Sequence, residues 1–379
     1  MSSPVTPFEQ PIYVTRPILP DLAAFTGRLK DVWDSKWLTN HGRQHDLLER
    51  ALAAYLKTPH VSLFNNGTIA LLVACRALEL KGEVITTPFT FPATPHVLAW
   101  SGLTPVFCDI DPRTMDLDPA RIEAAITPRT TGILAVHVYG TPCDVAAIQR
   151  IADARGLRVI YDAAHAFGVE VNGAGIATVG DISMFSFHAT KLFHTAEGGA
   201  LAFRDPALKD RIYLLRNFGI RNEEQVLLAG INGKMNELQA ALGLAVLECV
   251  PAEWARRERI FNLYREELAG VPGITLPADL PGVRRSNQYF VIRIDRQCFG
   301  LSRDEVHAAL KERNVHARRY FSPLCSEYPC YRELPSAAPA NLPVAQRVVQ
   351  EVLCLPFYGA LSDDDVRAIC GMLISLRRG

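Results

Sequence analysis

Short apolar runs alternate with longer stretches of helical periodicity through the first two thirds of the 379-residue chain. The apolar runs predict strands at 60–65, 82–88, 104–111, 130–140 and 158–164. The stretches between them predict helices at 67–80, 93–102, 119–126 and 144–156. Nearly continuous apolar strands are typical of a sheet with helices on both faces. The alternation therefore predicts an α/β fold with a mainly parallel central sheet.

The pattern changes in the last third of the chain. Helices are predicted at 206–217, with Asp205 as N-cap, and at 236–268, with an interruption at Pro251. Further strands are predicted at 287–295 and 315–321, and further helices at 303–314, 343–353 and 363–376. We therefore expect a large domain at 1–250 and a smaller C-terminal α+β domain at 251–379.

Composition and charge exclude several classes of protein. Lys and Arg total 40, as do Asp and Glu, so no basic field for nucleic acid or a membrane surface is expected. Residues 1–17 do not resemble a signal peptide, and no apolar run reaches about eighteen residues, the length of a membrane span. The nine cysteines include no CxxC pair, which favours reduced thiols in a cytoplasmic protein without a metal site.

Two strand ends carry candidate binding residues. Gly67 turns the chain after the first strand and Thr68 begins a helix, whose N–H groups suit a phosphate, although a simple Thr N-cap explains the same residues. Asp162 ends a later strand and His165 follows. A carboxylate beyond the carboxyl end of a strand can hold a cationic ring nitrogen, although a capping Asp with a structural His is the alternative.

A single amine, Lys191, lies in the short connection between two strands predicted around 181–188 and 198–205. An amine surrounded by protein has a lowered pKa, and a neutral amine can attack a carbonyl to form a Schiff base. A solvated loop lysine is the alternative. A phosphate cradle, a carboxylate and an amine on one sheet are together what pyridoxal 5′-phosphate (PLP) requires.

These segments resemble the DegT/DnrJ/EryC1/StrS family of nucleotide-sugar aminotransferases, which have the PLP-dependent fold type I. The resemblance covers nearly the whole chain. It is carried by the segments NNGTIAL, ITTPFTFPAT, VHVYG, VIYDAAHAFG, FSFHATKLFHTAEGGAL, NFGI and KMNELQAALG. It implies that Lys191 is the Schiff-base lysine and proton carrier, that Asp162 pairs with the pyridine nitrogen, and that His165 lies near the ring.

The resemblance also implies the remaining contacts. Phe91 would stack on the cofactor, Ser186 would join Gly67 and Thr68 at its phosphate, and Asn236 would reach the phosphate in the neighbouring subunit, which requires a homodimer with shared sites. The substrate's diphosphate is negatively charged. By their charge, the candidates to bind it are Arg221 and the residues Arg318 and Arg319 beside Tyr320. The segment at 37–40 also matches the family, without an assigned role.

The segments AEGGA, FHATK, RNFGI and VHARRYFSPL resemble members that aminate dTDP-4-keto-6-deoxy-D-glucose at C4, with L-glutamate as amino donor. Members acting at C3 more often have GDAGA, and GDP-perosamine enzymes have FFGNK or FYGNK before the lysine. Amination of another GDP-, UDP- or dTDP-linked keto sugar stays open. Related dehydratases have His in place of Lys191, a non-catalytic regulator would have an eroded site, and a nicotinamide-dependent enzyme would have GxGxxG after its first strand.

Overall fold

A computed structural model describes residues 7–378. Its helices are α1 Leu22–Ser35, α2 Arg43–Tyr55, α3 Gly67–Ala77, α4 Ala93–Trp100, α5 Pro119–Ala125, α6 Val145–Arg155, α7 Ala207–Arg216, α8 Glu237–Glu267, α9 Arg296–Phe299, α10 Arg303–Lys311, α11 Pro343–Val348 and α12 Asp363–Ser375. Its strands are β1 Ile12–Tyr13, β2 His60–Phe64, β3 Glu83–Thr86, β4 Thr104–Phe107, β5 Thr130–Val136, β6 Arg158–Asp162, β7 Glu170–Val171, β8 Ala174–Gly175, β9 Ile182–Ser186, β10 Gly199–Phe203, β11 Ile220–Asn222, β12 Gln225–Val226, β13 Ile274–Thr275, β14 Val283–Arg284, β15 Phe290–Ile294, β16 Val315–His316 and β17 Val352–Leu355.

The central sheet has seven strands in the order β2-β10-β9-β6-β5-β3-β4. Strand β10 is antiparallel to both of its neighbours, and the pairs from β9 to β4 are parallel. The predicted α/β architecture with a mainly parallel sheet is confirmed. Because β6 and β9 pair with Asp162 opposite Met184, their carboxyl ends lie side by side.

Helices cover both faces of this sheet, as its apolar strands predict. Along β9, Met184 packs in a core with α3 and α7, whereas Phe185 packs in a second core with α2 and the first half of α8. This alternation follows from the opposite directions of successive side chains in a strand.

Helix α8 is continuous for 31 residues, so the predicted interruption at Pro251 is wrong. Proline removes one hydrogen bond of the helix, but Pro251 is exposed, so water can reach the carbonyl that loses its partner. On either side of it, the helix is held by packing, with Val250 in the core of the large domain and Ile260 in that of the C-terminal part. Tertiary contacts therefore override the local signal.

The C-terminal part is built on an antiparallel sheet, β13-β15-β17, packed against α10, α12 and the second half of α8. Strand β17 lies partly where the sequence predicts the end of a helix, because Val352–Leu355 pairs with β15 instead. Near the other end of the chain, β1 pairs in parallel with β16, so it lies with the C-terminal part. The division at 250/251 stays a prediction, and it falls inside α8.

Helix α8 is also long and apolar enough, by length and composition, to cross a membrane, and 44 % of its most apolar stretch is buried inside the protein. A core helix of a globular protein can have the same length and composition, so this finding is weak evidence for a membrane. None of the nine cysteines forms a disulfide within the described residues.

Candidate active site

A cavity of about 250 Å³ lies at the carboxyl ends of β6 and β9. The N-terminus of α3 and the segment between β3 and α4 form further walls, and Tyr289, Tyr320 and Phe321 close it from the C-terminal part. Eight of the predicted residues line it: Gly67, Thr68, Phe91, Asp162, His165, Ser186, Lys191 and Tyr320. The structure thus brings the three separate sequence segments into one site.

Asp162 is buried at the end of β6, and both of its carboxylate oxygens are hydrogen-bonded. The hydroxyl of Thr94 donates to Oδ2 at 2.8 Å, and the backbone N–H of Ala164 donates to Oδ1 at 3.1 Å. Burial raises the pKa of the carboxyl, while these two donors and the nearby Lys191 oppose the rise. Each oxygen of an ionised carboxylate can accept two hydrogen bonds, so one acceptor position per oxygen remains for a ligand.

Lys191 lies in the connection between β9 and β10, where its backbone N–H donates to the carbonyl of His188 at 2.9 Å. The residue as a whole is partly exposed, but its side chain lines the cavity and its amine is buried there. Burial of the amine lowers its pKa to about 8, and the charge of Asp162 opposes this shift. Roughly a tenth of the amine is then neutral at pH 7, far more than of an ordinary lysine, and the neutral form is the one that a nucleophilic amine requires. The burial of the amine excludes the alternative interpretation of Lys191 as a solvated loop lysine.

His165 is buried against aromatic rings. Its ring stacks on Phe321 with centroids 5.8 Å apart and meets Tyr289 edge-on at 5.1 Å. Its Nδ1 accepts the backbone N–H of Tyr139 at 3.3 Å. Burial, with the nearby Lys191, lowers its pKa well below the usual range, so the ring is neutral and acts as a wall of the cavity with an acceptor turned toward the protein.

The start of α3 differs in detail from its prediction. Asn66, and not Thr68, is the N-cap, and its side chain accepts the N–H of Ile69 at 2.8 Å. Gly67 is the first helical residue, and a Cβ there would lie 3.2 Å from the Cβ of Ser186. The absent side chain lets β9 approach the helix start, so Thr68 and Ser186 share the same end of the cavity. N–H groups of a first helical turn have no partner within the helix and suit a phosphate.

Phe91 is 57 % exposed although it is a large apolar residue. It lies between β3 and α4 and lines the cavity. The alternative of an ordinary core phenylalanine is therefore excluded, and the exposed ring is available to stack on a flat ligand.

The other four predicted site residues do not line this cavity in the same chain. Asn236 caps α8, and its side chain accepts the N–H of Gln239 at 2.9 Å. Arg221 lies in the exposed hairpin β11–β12. Arg318 and Arg319 line a neighbouring cavity of about 430 Å³, which shares Thr190 and Tyr320 with the first.

This second cavity, which we call the basic cavity, is lined by His307, Lys311, His316, Arg318 and Arg319. Arg319 is paired with Asp304 at 2.9 Å. Within the described part of the chain, Arg318 and Lys311 form no ion pair, so their charges are available to an anion.

The sequence interpretation missed Thr94 and Thr90. Thr94 is fully buried in the first turn of α4, and its hydroxyl lies 2.9 Å from that of Thr90. Both belong to the segment PFTFPAT, but a threonine near a helix start is also an ordinary capping residue. The pairing of Thr94 with Asp162 joins residues 68 positions apart, and it becomes visible only when the fold places the first turn of α4 beside the end of β6.

The residues present fit PLP. The first turn of α3 with Ser186 suits a phosphate, Asp162 suits a protonated ring nitrogen, Phe91 suits a ring face, and Lys191 suits an aldehyde. With the mainly parallel sheet and the smaller C-terminal part, this site defines a PLP-dependent aminotransferase of fold type I.

The chain belongs to the DegT/DnrJ/EryC1/StrS aminotransferase family, whose profile matches residues 22–374. It is 47 % identical over 370 residues to the dTDP-4-amino-4,6-dideoxy-D-glucose transaminase of Escherichia coli, covering 97 % of this chain and 99 % of the relative. The enzyme of the same description from Shigella dysenteriae is 44 % identical, with 97 % and 100 % covered. The family prediction is confirmed, and the protein is a nucleotide-sugar transaminase that uses PLP.

Solved structures agree with this assignment. DesI, determined in the presence of its TDP-sugar product, superposes with a TM-score of 0.93 at 41 % identity, covering 98 % of this chain and 94 % of that chain. PseC of Helicobacter pylori, an aminotransferase of pseudaminic acid biosynthesis, has a TM-score of 0.90 at 29 % identity, with 97 % and 99 % covered. The substrates of this protein are accordingly a nucleotide-linked sugar and an amino donor.

Proposed function

We propose that the protein transfers the amino group of L-glutamate to C4 of dTDP-4-keto-6-deoxy-D-glucose and forms dTDP-4-amino-4,6-dideoxy-D-glucose. The observation that carries the proposal is the near full-length similarity to two transaminases described by this product. GDP-perosamine synthases of Vibrio cholerae and Caulobacter vibrioides are less similar, at 31 % and 35 % identity. Their similarity keeps amination of another 4-keto sugar as the second candidate.

The residues of the cavity supply positioning and proton transfer. When bound, PLP supplies the aldehyde that carries the amino group and a ring that absorbs electrons. Lys191, whose amine has a pKa of about 8, removes a proton from the amino donor and later delivers one to the sugar carbon. Asp162, buried and held by Thr94, keeps a proton on the ring nitrogen.

The basic cavity is the proposed place of the substrate's diphosphate. It opens beside the cofactor cavity and shares two wall residues with it, so a sugar at Lys191 can extend into it. Arg318 and Lys311 there have no carboxylate partner in the described residues, and a diphosphate would neutralise both. Arg221, which lies outside both cavities, could serve only a neighbouring subunit.

We also propose that two copies of the chain form a homodimer with shared active sites. Exposed apolar side chains are concentrated on the β11–β12 hairpin and near the start of α8: Phe218, Ile220, Val226, Leu227, Ile231 and Leu238. We call this set the hairpin patch. Contiguous exposed apolar surface often marks an interface. Since Asn236 starts the same helix, its proposed contact with a partner's cofactor agrees with this location. We further propose that the dimer works in the cytoplasm.

The test is an assay of the PLP-loaded enzyme with glutamate and a panel of dTDP-, GDP- and UDP-linked keto sugars, with products identified by mass and NMR. We expect amination of the dTDP-linked 4-keto sugar with the highest kcat/KM. Preference for a GDP- or UDP-linked sugar would contradict the assignment of the nucleotide and support the second candidate.

Lys191→Ala tests the catalytic role of the lysine, and Lys57→Ala is its matched control. Lys191→Ala should abolish turnover and prevent covalent attachment of PLP by borohydride reduction, while Lys57→Ala, a lysine paired with Glu170 on the surface, should leave both unchanged. Turnover that survives in Lys191→Ala would refute its catalytic role.

A further inference from the structure

A third cavity, of about 320 Å³, lies between the large domain and the C-terminal part. One wall comes from the loop after β4 and from Tyr139, at the end of β5, and the other from β13 and the loop that leads to β15. Nothing in the proposed transamination uses it. We call it the interdomain cavity.

The body of the interdomain cavity is apolar and aromatic. Its walls include Phe261, Leu276, Leu280, Tyr289 and Val291. Such surface would be costly to leave in contact with water alone, and flat or apolar ligands gain free energy by covering it.

The charged residues of this cavity are all of one sign. Three arginines line it, and none of its described lining residues is Asp or Glu. Arg293 is neutralised by Glu351 at 2.8 Å. Arg113 is exposed and forms no ion pair within the described residues, so its charge is free to meet an anion at the rim.

Arg285 is the most informative of the three. It is half-buried, its hydrogen bond goes to the carbonyl of Ala278, and its guanidinium lies 5.3 Å from the ring centre of Phe261. Burial and the neighbouring Arg265 lower its pKa, while the charge of Asp279 opposes this shift. Asp279 is itself paired with Arg265, and Arg285 forms no ion pair within the described residues. Its partly desolvated charge is therefore only partly compensated, and a bound anion would stabilise it.

We propose that the interdomain cavity binds a small organic anion with an apolar body, whose charged group meets Arg285 and Arg113. The site is separate from the cofactor cavity but shares Tyr289 with it. Tyr289 also contacts the ring of His165 edge-on. A ligand in this cavity would therefore contact a residue that also forms the wall of the cofactor site.

The experiment is a fluorescence titration of the PLP-loaded enzyme with 1-anilinonaphthalene-8-sulfonate, a flat apolar anion. We expect one saturable site per chain, about tenfold weaker binding in Arg285→Gln, and restoration in Arg285→Lys. Thr275→Trp, at an exposed position of the cavity wall, should block the probe by filling the space. Arg211→Gln, which removes a surface arginine paired with Glu79, is the charge-matched control.

Displacement of the probe by benzoate or by phenyl phosphate identifies a carboxylate or a phosphate ester as the preferred class, and displacement by neither overturns the proposal. Equal binding of the probe by wild type, Arg285→Gln and Thr275→Trp also overturns it. Transamination by wild type, measured without the probe, is independent of both results, so failure here leaves the proposed function intact.

Discussion

The carboxylate and the amine of the site are both shifted toward their neutral forms by burial, and each restrains the shift of the other. Burial raises the pKa of Asp162 and lowers that of Lys191, while the attraction between the two charges acts in the opposite direction on both. The pair is therefore sensitive to small changes in its surroundings. Residue-scale predictions follow for each of the two groups.

The rate at which apoenzyme takes up PLP should depend on pH through Lys191. Only the neutral amine attacks an aldehyde, and its pKa is about 8 instead of the ordinary 10.5. The neutral fraction rises with pH, so the rate should increase as pH rises through about 8 and then level off. Stopped-flow absorbance of the bound cofactor measures it. A rate that is still increasing tenfold between pH 9 and 10 would show an unshifted lysine.

Thr94→Val should move the acid limit of cofactor binding to higher pH. The hydroxyl of Thr94 stabilises the ionised form of Asp162, so its loss raises the pKa of the carboxyl further. In the variant, Asp162 should therefore become protonated at a pH about one unit higher than in wild type. Its interaction with the ring nitrogen is lost at that higher pH. A pH titration of the bound cofactor's absorbance tests this. Thr94→Ser keeps the hydroxyl and should behave as wild type, and coincident titrations of all three proteins would exclude this role for Thr94.

At the scale of elements, the N-terminus of α8 serves one established purpose and one proposed purpose. The side-chain oxygen of Asn236 caps the helix, and Gln239 completes a capping box by accepting the backbone N–H of Asn236 at 3.2 Å. The amide nitrogen of Asn236 is not needed for the cap. It is therefore the atom that could reach a phosphate in the partner subunit.

Asn236→Asp separates these two purposes. Aspartate caps helices as well as asparagine does, so thermal unfolding without cofactor should be unchanged, whereas Asn236→Ala should lose about 1 kcal/mol of stability. In the dimer, the new carboxylate would repel the partner's phosphate, so PLP retention during dialysis should decrease. Retention that is equal in wild type and Asn236→Asp would remove the shared-site hypothesis and leave only the cap.

Elements with strong periodicity could be predicted from the sequence, and those decided by distant partners could not. Strands β2 to β6 and helices α3 to α6 lie where the alternation places them. The sequence pattern predicts helix for part of β17, because Val352–Leu355 acquires its strand conformation only by pairing with β15. Pro251 predicts a break in α8, because the cost of a proline is visible in the sequence and the packing on both sides of it is not.

The same limit applies to the site. Lys191, Asp162 and His165 could be identified because their types and order carry the chemistry of the cofactor. Thr94 could not, since its role depends on a contact between the first turn of α4 and the end of β6, which are distant in the sequence. Arg318 could be singled out by charge, but its place in the basic cavity follows only from the packing of β16 against β1.

At the scale of the whole molecule, the hairpin patch predicts how copies of the chain associate. Val226 is 69 % exposed within it, and Val226→Asp would place a charge in the proposed interface. We expect light scattering to show a shift from dimer to monomer at micromolar concentration, together with weaker PLP retention. Leu19→Asp, at a position that is 77 % exposed but outside the patch, is the matched control. A dimer that persists in Val226→Asp would place the interface elsewhere.

The chain crosses between its two parts twice, once after β1 and once along α8. The segment after β1 leads from the C-terminal part to α1, and α8 leads back as a continuous rod. Between these two crossings, the parts are packed together by a shared apolar core, in which Phe89 and Val138 lie in one cluster with Val291 and Phe321. Because this core includes Phe321, which also lines the cofactor cavity, the shape of the cleft that holds Lys191 depends on how the two parts pack against each other.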